Sequence, residues 1–380
     1  MRKYCFLLNL SLSLNLNLNL NLMKLLYITN GINGSGGLER VLSVKASLLA
    51  EEFGYEVTIL SLNEAHIQPF YGFSSKVNMR SVAVGGNPLA YFRSYRKGLQ
   101  EAVNEIKPDV ISVCDDGLKG FFVPELIKTN AKIIYERHAS IALNTGTSLK
   151  GRLTAALMRR QVSKFARFIV LTPGNIKEWN HPNVMAIPNP LSFESSAENA
   201  LDQKRVIAVG SHSRNKGYDL LLTIWKNIEP DFPGWQLEIF GRADREQTYT
   251  RIAEELRLKT VKFHAPVPAI QQEYENSSIL VLPSRSEGFG MVLIEAMACG
   301  VPCVAFDCSS GPGDIISDGE DGYLIPVLDT AVFEKQLRRL MSDDGLRKSF
   351  GHTARNNSQR YAARQVVQQW DELFNKLIKK

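Results

Sequence analysis

Two glutamates in the second half of the chain are placed where they can do chemistry. Glu287 lies in a glycine-rich loop that follows a predicted strand ending at Leu282, and Glu295 lies in the short helix predicted to start near Gly290. Helical side chains point back toward the N-terminus, so the Glu295 carboxylate can reach the same loop. Both carboxylates can then accept hydrogen bonds from the vicinal hydroxyls of a ribose or a hexose. The alternative is a pair of surface glutamates flanking an ordinary strand–turn–helix.

A second glycine-rich loop, residues 30–37, joins the first predicted strand to a helix starting at Leu38. Its Gly36 and Gly37 allow a ligand to approach the backbone, and the helix N-terminus favours an anion. A dinucleotide fingerprint would need a third glycine where Glu39 stands, and no Walker A sequence occurs anywhere in the chain. The loop therefore predicts an anion site or, alternatively, a tight turn without a ligand.

His138 follows the predicted strand Lys132–Tyr135. Ligands in open α/β sheets bind beyond the carboxyl ends of the strands, so we expect His138 to project into a cleft between domains. The alternative is a histidine with a structural hydrogen bond. Glu136 can orient His138 or Arg137, and the sequence does not decide between them.

Short apolar runs alternate with amphipathic stretches from Met23 onward, the pattern of parallel sheets covered by helices. We predict an α/β fold with two Rossmann-like domains facing each other across a cleft. The predicted strands lie near Leu25–Thr29, Glu56–Leu60, Val110–Val113, Lys132–Tyr135, Phe168–Leu171 and Val184–Ile187, and then near Val206–Val209, Gln236–Phe240, Val261–Phe263, Ile279–Leu282 and Pro302–Phe306.

We divide the chain into five parts. Residues 1–22 alternate Asn, Leu and Ser without the continuous apolar core of a signal peptide, and we expect this low-complexity extension to lie outside the fold. An N-terminal, acceptor-binding domain spans 23–190 and a linker spans 191–204. A C-terminal, donor-binding domain spans 205–357, and one helix over 358–380 is expected to cross back to the first domain.

Composition indicates a folded cytoplasmic protein, with 44% hydrophobic and 22% charged residues. The five cysteines are an odd number without the short paired spacings of a zinc site, so we expect neither disulfides nor a metal.

The stretch from Arg137 to Lys177 contains Lys and Arg residues but no Asp or Glu. Within it, Leu153, Leu157, Val162, Phe165 and Phe168 recur at helix-like spacing, which predicts a basic amphipathic helix over 150–168. It contacts the inner face of an anionic membrane or an acidic acceptor, or it packs on the core with a solvated basic face. Nucleic-acid binding is disfavoured because the stretch lacks interleaved stacking aromatics.

The passage from Glu287 to Glu295 is similar to the Glu-x7-Glu signature of glycosyltransferase family 4, with Gly288, Phe289 and Gly290 in between. Other passages resemble the family in the expected order, so the resemblance covers essentially everything from Met23 onward: Gly36–Arg40, Ile187–Pro190, Gly210–Asp219, Ser310–Asp314 and Asp318–Gly322.

The resemblance implies a GT-B fold and a retaining transfer from a nucleotide sugar, UDP- rather than GDP-linked, without a metal or other cofactor. It implies that Lys216 pairs with the donor phosphates and that Glu295 holds the nucleotide ribose. Glu287, with Gly288 and the backbone of Phe289 and Gly290, would hold the transferred sugar. His138 would contact a sugar hydroxyl near the reacting centre, which makes His138 and Glu287 the candidate catalytic residues.

One position departs from the family pattern: Ser211 stands where an arginine commonly follows the glycine matching Gly210. We expect Arg214 to supply the missing positive charge.

The implied function is transfer of a hexose or N-acetylhexosamine to a saccharide or lipid-linked acceptor in surface polysaccharide, lipopolysaccharide or glycoconjugate biosynthesis. The alternatives are another GT-B enzyme, such as an epimerase or a phosphorylase, and a nucleotide-sugar-binding protein without catalysis.

Overall fold

A computed structural model describes residues 22–65, 68–145, 148–308 and 310–379 of the chain. The predicted extension lies outside the described residues except for Leu22. Among the residues described, no helix is both long and apolar enough to cross a membrane.

The chain forms two sheets in which all strand pairs are parallel. The first sheet has the order β3-β2-β1-β4-β5-β6-β7 and contains β1 (Lys24–Thr29), β2 (Glu56–Leu62), β3 (Asn78–Val82), β4 (Val110–Cys114), β5 (Lys132–Glu136), β6 (Arg167–Val170) and β7 (Val184–Ala186). The second has the order β10-β9-β8-β11-β12-β13 and contains β8 (Arg205–Val209), β9 (Gln236–Phe240), β10 (Val261–His264), β11 (Ile279–Leu282), β12 (Cys303–Phe306) and β13 (Gly322–Ile325).

Helices connect the strands and cover the sheets. They are α1 (Gly37–Glu51), α2 (Pro88–Ile106), α3 (Val123–Leu126), α4 (Ala142–Thr145), α5 (Leu149–Gln161), α6 (Pro173–Trp179), α7 (Tyr218–Ile228), α8 (Thr248–Glu255), α9 (Ile270–Glu275), α10 (Met291–Ala298), α11 (Pro312–Ile315), α12 (Thr330–Ser342), α13 (Asp344–Ser358) and α14 (Ala363–Ile378). Short 3-10 turns occur at Lys119–Phe122, Val162–Lys164, Arg214–Lys216 and Gln359–Tyr361.

The predicted α/β fold with two Rossmann-like units is confirmed, and two strands were missed. β3 lies at the edge of its sheet with mostly exposed, polar residues, so it lacks the apolar run of a buried strand. β13 starts at Gly322, directly after a turn rich in Asp and Gly. Its apolar run is too short to be recognised as a strand beside that turn.

Each sheet reverses its strand order at one point, between β1 and β4 in the first sheet and between β8 and β11 in the second. Loops leaving the carboxyl ends of strands diverge at such a point and open a crevice. The glycine loop follows β1, and the loop with Glu287 follows β11. The topology therefore brings the two predicted glycine-rich passages to the crevices of their sheets.

The C-terminal segment differs from the single helix predicted over 358–380. α13 continues to Ser358, a 3-10 turn follows, and α14 starts only at Ala363. In the turn, Tyr361 is buried with its ring centroid 5.7 Å from that of Phe289, and its carbonyl accepts a hydrogen bond from the Leu191 amide. α14 then buries its apolar face against the first sheet and α1, through Val366, Val367, Trp370, Leu373 and Phe374.

The prediction of one amphipathic helix over 150–168 is wrong at its C-terminal end. α5 stops at Gln161, and Phe165 and Phe168 belong to the core, with Phe168 inside β6. Leu153 and Leu157, predicted on the same apolar face as these phenylalanines, are 65% and 44% exposed. The chain leaves the helical conformation after Lys164 to enter β6, so Phe165 is buried just before the strand and Phe168 within it.

Candidate active site

A cavity of about 420 Å3 lies between the two sheets, at the switch points of both. Its wall comes from loops that follow β1, β4 and β5 on one side and β8, β9 and β11 on the other. Nearly all residues that the sequence singled out meet here, namely Gly36, Gly37, His138, Lys216, Glu287, Gly288, Phe289, Gly290 and Glu295.

Two helices, α1 and α10, start at the cavity wall. Their N-cap residues are Gly36 and Gly290, and neither provides a side chain to cap the first amides. The first N–H groups of a helix have no partner within the helix, and its N-terminus carries a partial positive charge. The start of α10 thus offers backbone donors to an anion, whereas at the start of α1 the Glu39 carboxylate already lies over the glycine loop.

Glu295 is fully buried, and its carboxylate accepts three hydrogen bonds. Arg40 donates from Nη1 at 2.5 Å, Ser192 from its hydroxyl at 3.0 Å, and Tyr274 from its hydroxyl at 3.1 Å. Arg40 comes from α1, so this ion pair bridges the two halves of the molecule. Charge-assisted bonds in a buried place are the stronger kind, so Glu295 is held rigidly at the cavity wall.

Arg40 also donates a hydrogen bond from Nη2 to the Tyr71 hydroxyl at 2.8 Å. This hydroxyl in turn donates to the carbonyl of Ser35 at 3.0 Å. Sequence reasoning gave no role to Arg40 or Tyr71. The pair connects the glycine loop to the Glu295 carboxylate across the cleft.

Lys216 and Glu287 form an ion pair inside the second half, with 2.7 Å between Nζ and Oε1. Both side chains line the cavity. A ligand with a phosphate and a hydroxyl can separate this pair, because the lysine then binds the phosphate and the carboxylate binds the hydroxyl. Each group is neutralised in the absence of such a ligand.

His138 borders the cavity with its side chain 7% exposed, and its Nε2 lies 3.4 Å from Oε2 of Glu136. Glu136 is buried, accepts a 2.5 Å hydrogen bond from the Ser112 hydroxyl, and forms a close ion pair with Lys45. Burial alone would raise the pKa of Glu136, but Lys45 and His138 outweigh it and lower that pKa to about 2. The sequence left open which residue Glu136 orients, and the structure places it beside His138.

Lys45 is itself completely buried, on the face of α1 that also carries Val41, Leu42 and Leu49. Its ammonium lies 4.0 Å from the centroid of the Trp370 ring and 5.0 Å from that of Tyr27, which adds cation–π attraction. A lysine inside an apolar helix stripe is the sequence signal for a buried ion pair, and it was missed.

Cys114, Glu136 and His138 also bring three possible metal-ligating atoms within 4.8 Å of one another. The Lys45 ammonium already bonds to the carboxylate of this group, so a lysine supplies the positive charge there. The cluster therefore fits a buried ion-pair network better than a metal site.

Gly288 brings the two halves into backbone contact. A Cβ atom at this position would lie 2.0 Å from the carbonyl oxygen of His138. Only glycine permits this approach, which sets the distance between the loop with Glu287 and the histidine.

Arg214 is not part of the cavity wall. It is exposed at the start of the 3-10 turn that carries Lys216, and its carbonyl accepts a 2.6 Å hydrogen bond from Arg285. Arg242, which sequence reasoning did not consider, lines the cavity instead, as do Glu39 and Asp116.

Two facing Rossmann-like sheets with a polar cavity at both switch points define the GT-B architecture of glycosyltransferases. The chain belongs to the glycosyl transferases group 1 family, whose model matches residues 192–357.

The chain is 30% identical over 370 residues to the amylovoran biosynthesis glycosyltransferase AmsD of Erwinia amylovora, covering 93% of this chain and 99% of the relative. It is 24% identical to a Campylobacter jejuni enzyme named as an alpha-1,4-N-acetyl-D-galactosaminyltransferase of a diNAcBac-PP-undecaprenol glycan, covering 93% and 98%. A variant of S. aureus TarM, solved with fondaparinux, alpha-GlcNAc-glycerol and UDP, is similar in structure, with a TM-score of 0.76, 16% identity and coverage of 93% and 100%.

Proposed function

We propose that this glycosyltransferase belongs to family 4 and moves a hexose or N-acetylhexosamine from a nucleotide sugar to a saccharide or lipid-linked saccharide, with retention at the anomeric carbon and without a metal. The observation that carries the proposal is the convergence of Lys216, Glu287, Glu295 and two uncapped helix N-termini on one cavity between the sheets. These are groups for a diphosphate and for sugar hydroxyls.

In the proposed complex the donor diphosphate lies against Lys216 and the N-terminus of α10. Its arrival breaks the Lys216–Glu287 pair and frees the Glu287 carboxylate for the hydroxyls of the transferred sugar, next to the amides of Phe289 and Gly290. Glu295 accepts hydrogen bonds from the ribose. Because Arg40, Ser192 and Tyr274 already bond to Glu295, the carboxylate is preorganised for this contact.

The leaving group is the part of the reaction that most needs stabilisation. Negative charge accumulates on the departing diphosphate, and Lys216 together with helix N-termini can stabilise it. The acceptor hydroxyl attacks from the face of the leaving group, and a phosphate oxygen takes its proton, so no strong general base is required. His138 contacts a hydroxyl of the donor sugar, and the Glu136 carboxylate lies 3.4 Å from its Nε2.

The names of relatives support a donor and an acceptor of these classes. UDP was present with the TarM variant, and the Campylobacter jejuni relative is named for a PP-undecaprenol glycan. We therefore favour a UDP-sugar over a GDP-sugar and an acceptor of surface polysaccharide, lipopolysaccharide or glycoconjugate biosynthesis.

A membrane-bound acceptor would require contact with the membrane, and we propose that residues 150–168 contribute it through α5. Leu149, Leu153 and Leu157 form a stripe on this helix that is 74%, 65% and 44% exposed. Arg152 and Arg160 are also exposed on the same helix. Apolar side chains beside cations suit the anionic inner face of a cytoplasmic membrane.

Vesicle sedimentation tests this contact. Leu153→Asp should abolish binding to vesicles that contain anionic lipid. Met79→Asp on the exposed edge strand β3 should leave this binding unchanged. Equal binding by both variants would refute the assignment of α5.

The function itself is tested by incubating UDP-, GDP- and ADP-sugars with the protein, EDTA and bacterial membrane extract as acceptor. We expect release of one nucleoside diphosphate that depends on the acceptor. Glu295→Ala should weaken nucleotide binding by about 1.5–3 kcal/mol, whereas Glu101→Ala on the exposed face of α2 is the control.

The alternatives give different results in the same experiment. An epimerase would convert the nucleotide sugar without acceptor, and a phosphorylase would depend on free phosphate. A non-catalytic protein would bind the nucleotide sugar and release nothing. Any of these outcomes would replace the transferase proposal.

A further inference from the structure

Three cationic side chains line the cavity, and they are not equivalent. Arg40 is paired with Glu295, and Lys216 is paired with Glu287. In the part of the chain that the structure describes, the Arg242 guanidinium forms neither an ion pair nor a hydrogen bond with a side chain. Arg242 is exposed to solvent at the cavity wall, so its charge is available to a ligand without breaking another contact.

The backbone fixes Arg242 beside the position where the family arginine is missing. The amide of His212, the residue after Ser211, donates a 2.9 Å hydrogen bond to the Arg242 carbonyl. A Cβ atom on Gly241 would lie 1.8 Å from the carbonyl oxygen of Gly210, so only glycine allows the loops after β8 and β9 to touch. A side chain from position 242 therefore starts next to Ser211.

The charge balance of the cavity indicates why a further cation is needed. Four carboxylates line it, those of Glu39, Asp116, Glu287 and Glu295, and the last three each face a cation, namely Arg137, Lys216 and Arg40. Without Arg242, a diphosphate would meet only lining cations whose charge a carboxylate already neutralises. Burial raises the pKa of Glu39, and a backbone hydrogen bond and the positive charge of Arg242 counteract that rise.

We propose that Arg242 binds the diphosphate of the nucleotide donor and takes the role of the arginine that Ser211 lacks. Arg242, which lines the cavity, is then the second cation beside Lys216, rather than Arg214, which does not line it. A planar guanidinium can hold two phosphate oxygens at once, which a lysine cannot. The inference rests on the proposed function, since it assumes a nucleoside diphosphate in this cavity.

The test compares a nucleoside diphosphate with its nucleoside. UDP, GDP and ADP and the matching nucleosides are titrated by calorimetry into the wild-type protein, Arg242→Ala, Arg214→Ala and Arg245→Ala. Arg245 is exposed in the same loop as Arg242 but does not line the cavity, which makes it the matched control.

We expect Arg242→Ala to weaken diphosphate binding about ten- to hundredfold, the range for losing charge-assisted hydrogen bonds, and to leave nucleoside affinity unchanged. Arg214→Ala and Arg245→Ala should each bind the diphosphate within about threefold of wild type, as is usual for exposed surface charges.

Wild-type affinity in Arg242→Ala would overturn the inference, and so would a larger loss in Arg214→Ala. An equal loss for nucleoside and diphosphate would also overturn it, because Arg242 would then contribute to binding the nucleoside part and not the phosphates. If the wild-type protein binds none of the three diphosphates, the proposed function fails as well, so the two failures can be told apart.

Discussion

Replacing Lys45 with methionine should show how much the buried network behind His138 contributes to stability. Methionine fills a similar volume and keeps contact with Trp370 and Tyr27, but it removes the ammonium that pairs with Glu136. The carboxylate stays buried with the Ser112 hydroxyl and a histidine at 3.4 Å. Breaking a buried ion pair from one side costs about 3–5 kcal/mol.

Urea unfolding measures this cost. With a slope of about 2 kcal/mol per M, the midpoint should fall by roughly 1.5–2.5 M. The double variant Lys45→Met/Glu136→Gln removes both charges and should recover part of the loss, because no unpaired ion remains.

Two results would refute this reasoning. One is a Lys45→Met midpoint within about 0.5 M of wild type, which corresponds to about 1 kcal/mol at the same slope. The other is a double variant no more stable than the single one, since the loss would then come from packing and not from the unpaired carboxylate.

Three further predictions concern pH, packing and thiol reactivity. The pKa of Glu136 is about 2 in the folded chain against an ordinary 4.5, so its contribution is present above pH 4.5 and is lost as the pH falls toward 2. That loss amounts to about 3 kcal/mol. Urea titrations at stepped pH should show it as a fall in the free energy of unfolding. If this free energy fell as steeply with pH in Lys45→Met/Glu136→Gln as in the wild type, the prediction would be contradicted. Gly288→Ala would put a Cβ 2.0 Å from the His138 carbonyl and should lower the transfer rate by about a hundredfold, whereas Gly72→Ala, with open space around it, should be neutral. The four described cysteines are buried and free, and burial raises the pKa of Cys299 and Cys308 to about 12. These four thiols should not react with a thiol reagent at pH 8 until the chain unfolds. Fast reaction of the four in the folded protein would contradict their burial.

Local patterns were sufficient to predict most strands and the two glycine-rich loops. A buried parallel strand needs a continuous apolar run, and a loop that approaches a ligand needs glycine, so both leave a trace within a few residues. Strand order then places the ends of β1 and β11 at switch points, which is why Gly36 and Glu287 meet in one cavity.

Contacts between distant residues could not be predicted in this way. Arg40 and Glu295 are 255 positions apart, and Lys45 and Glu136 are 91 apart, so no local spacing connects them. A charged residue on an apolar face indicates that an oppositely charged partner exists, but the sequence does not identify that partner.

Side-chain direction was the other source of error. Arg214 and Lys216 are both in the same 3-10 turn, yet Lys216 lines the cavity and Arg214 does not. Arg242 lies in the loop after β9, and only the contact of this loop with the loop after β8 brings it beside Ser211. Likewise, Leu153 and Leu157 were expected to share one apolar face with Phe165 and Phe168, but α5 ends before the phenylalanines, which belong to the core.

The central claim is that the cavity binds the nucleoside diphosphate part of a donor without a metal. A thermal-shift panel of UDP, GDP, ADP and NAD with EDTA present tests it most directly. One nucleoside diphosphate at 100 times its dissociation constant should add about 2.7 kcal/mol to the free energy of unfolding, and Glu295→Ala should reduce the effect. Stabilisation by NAD alone, or by none of the four ligands, would contradict the account.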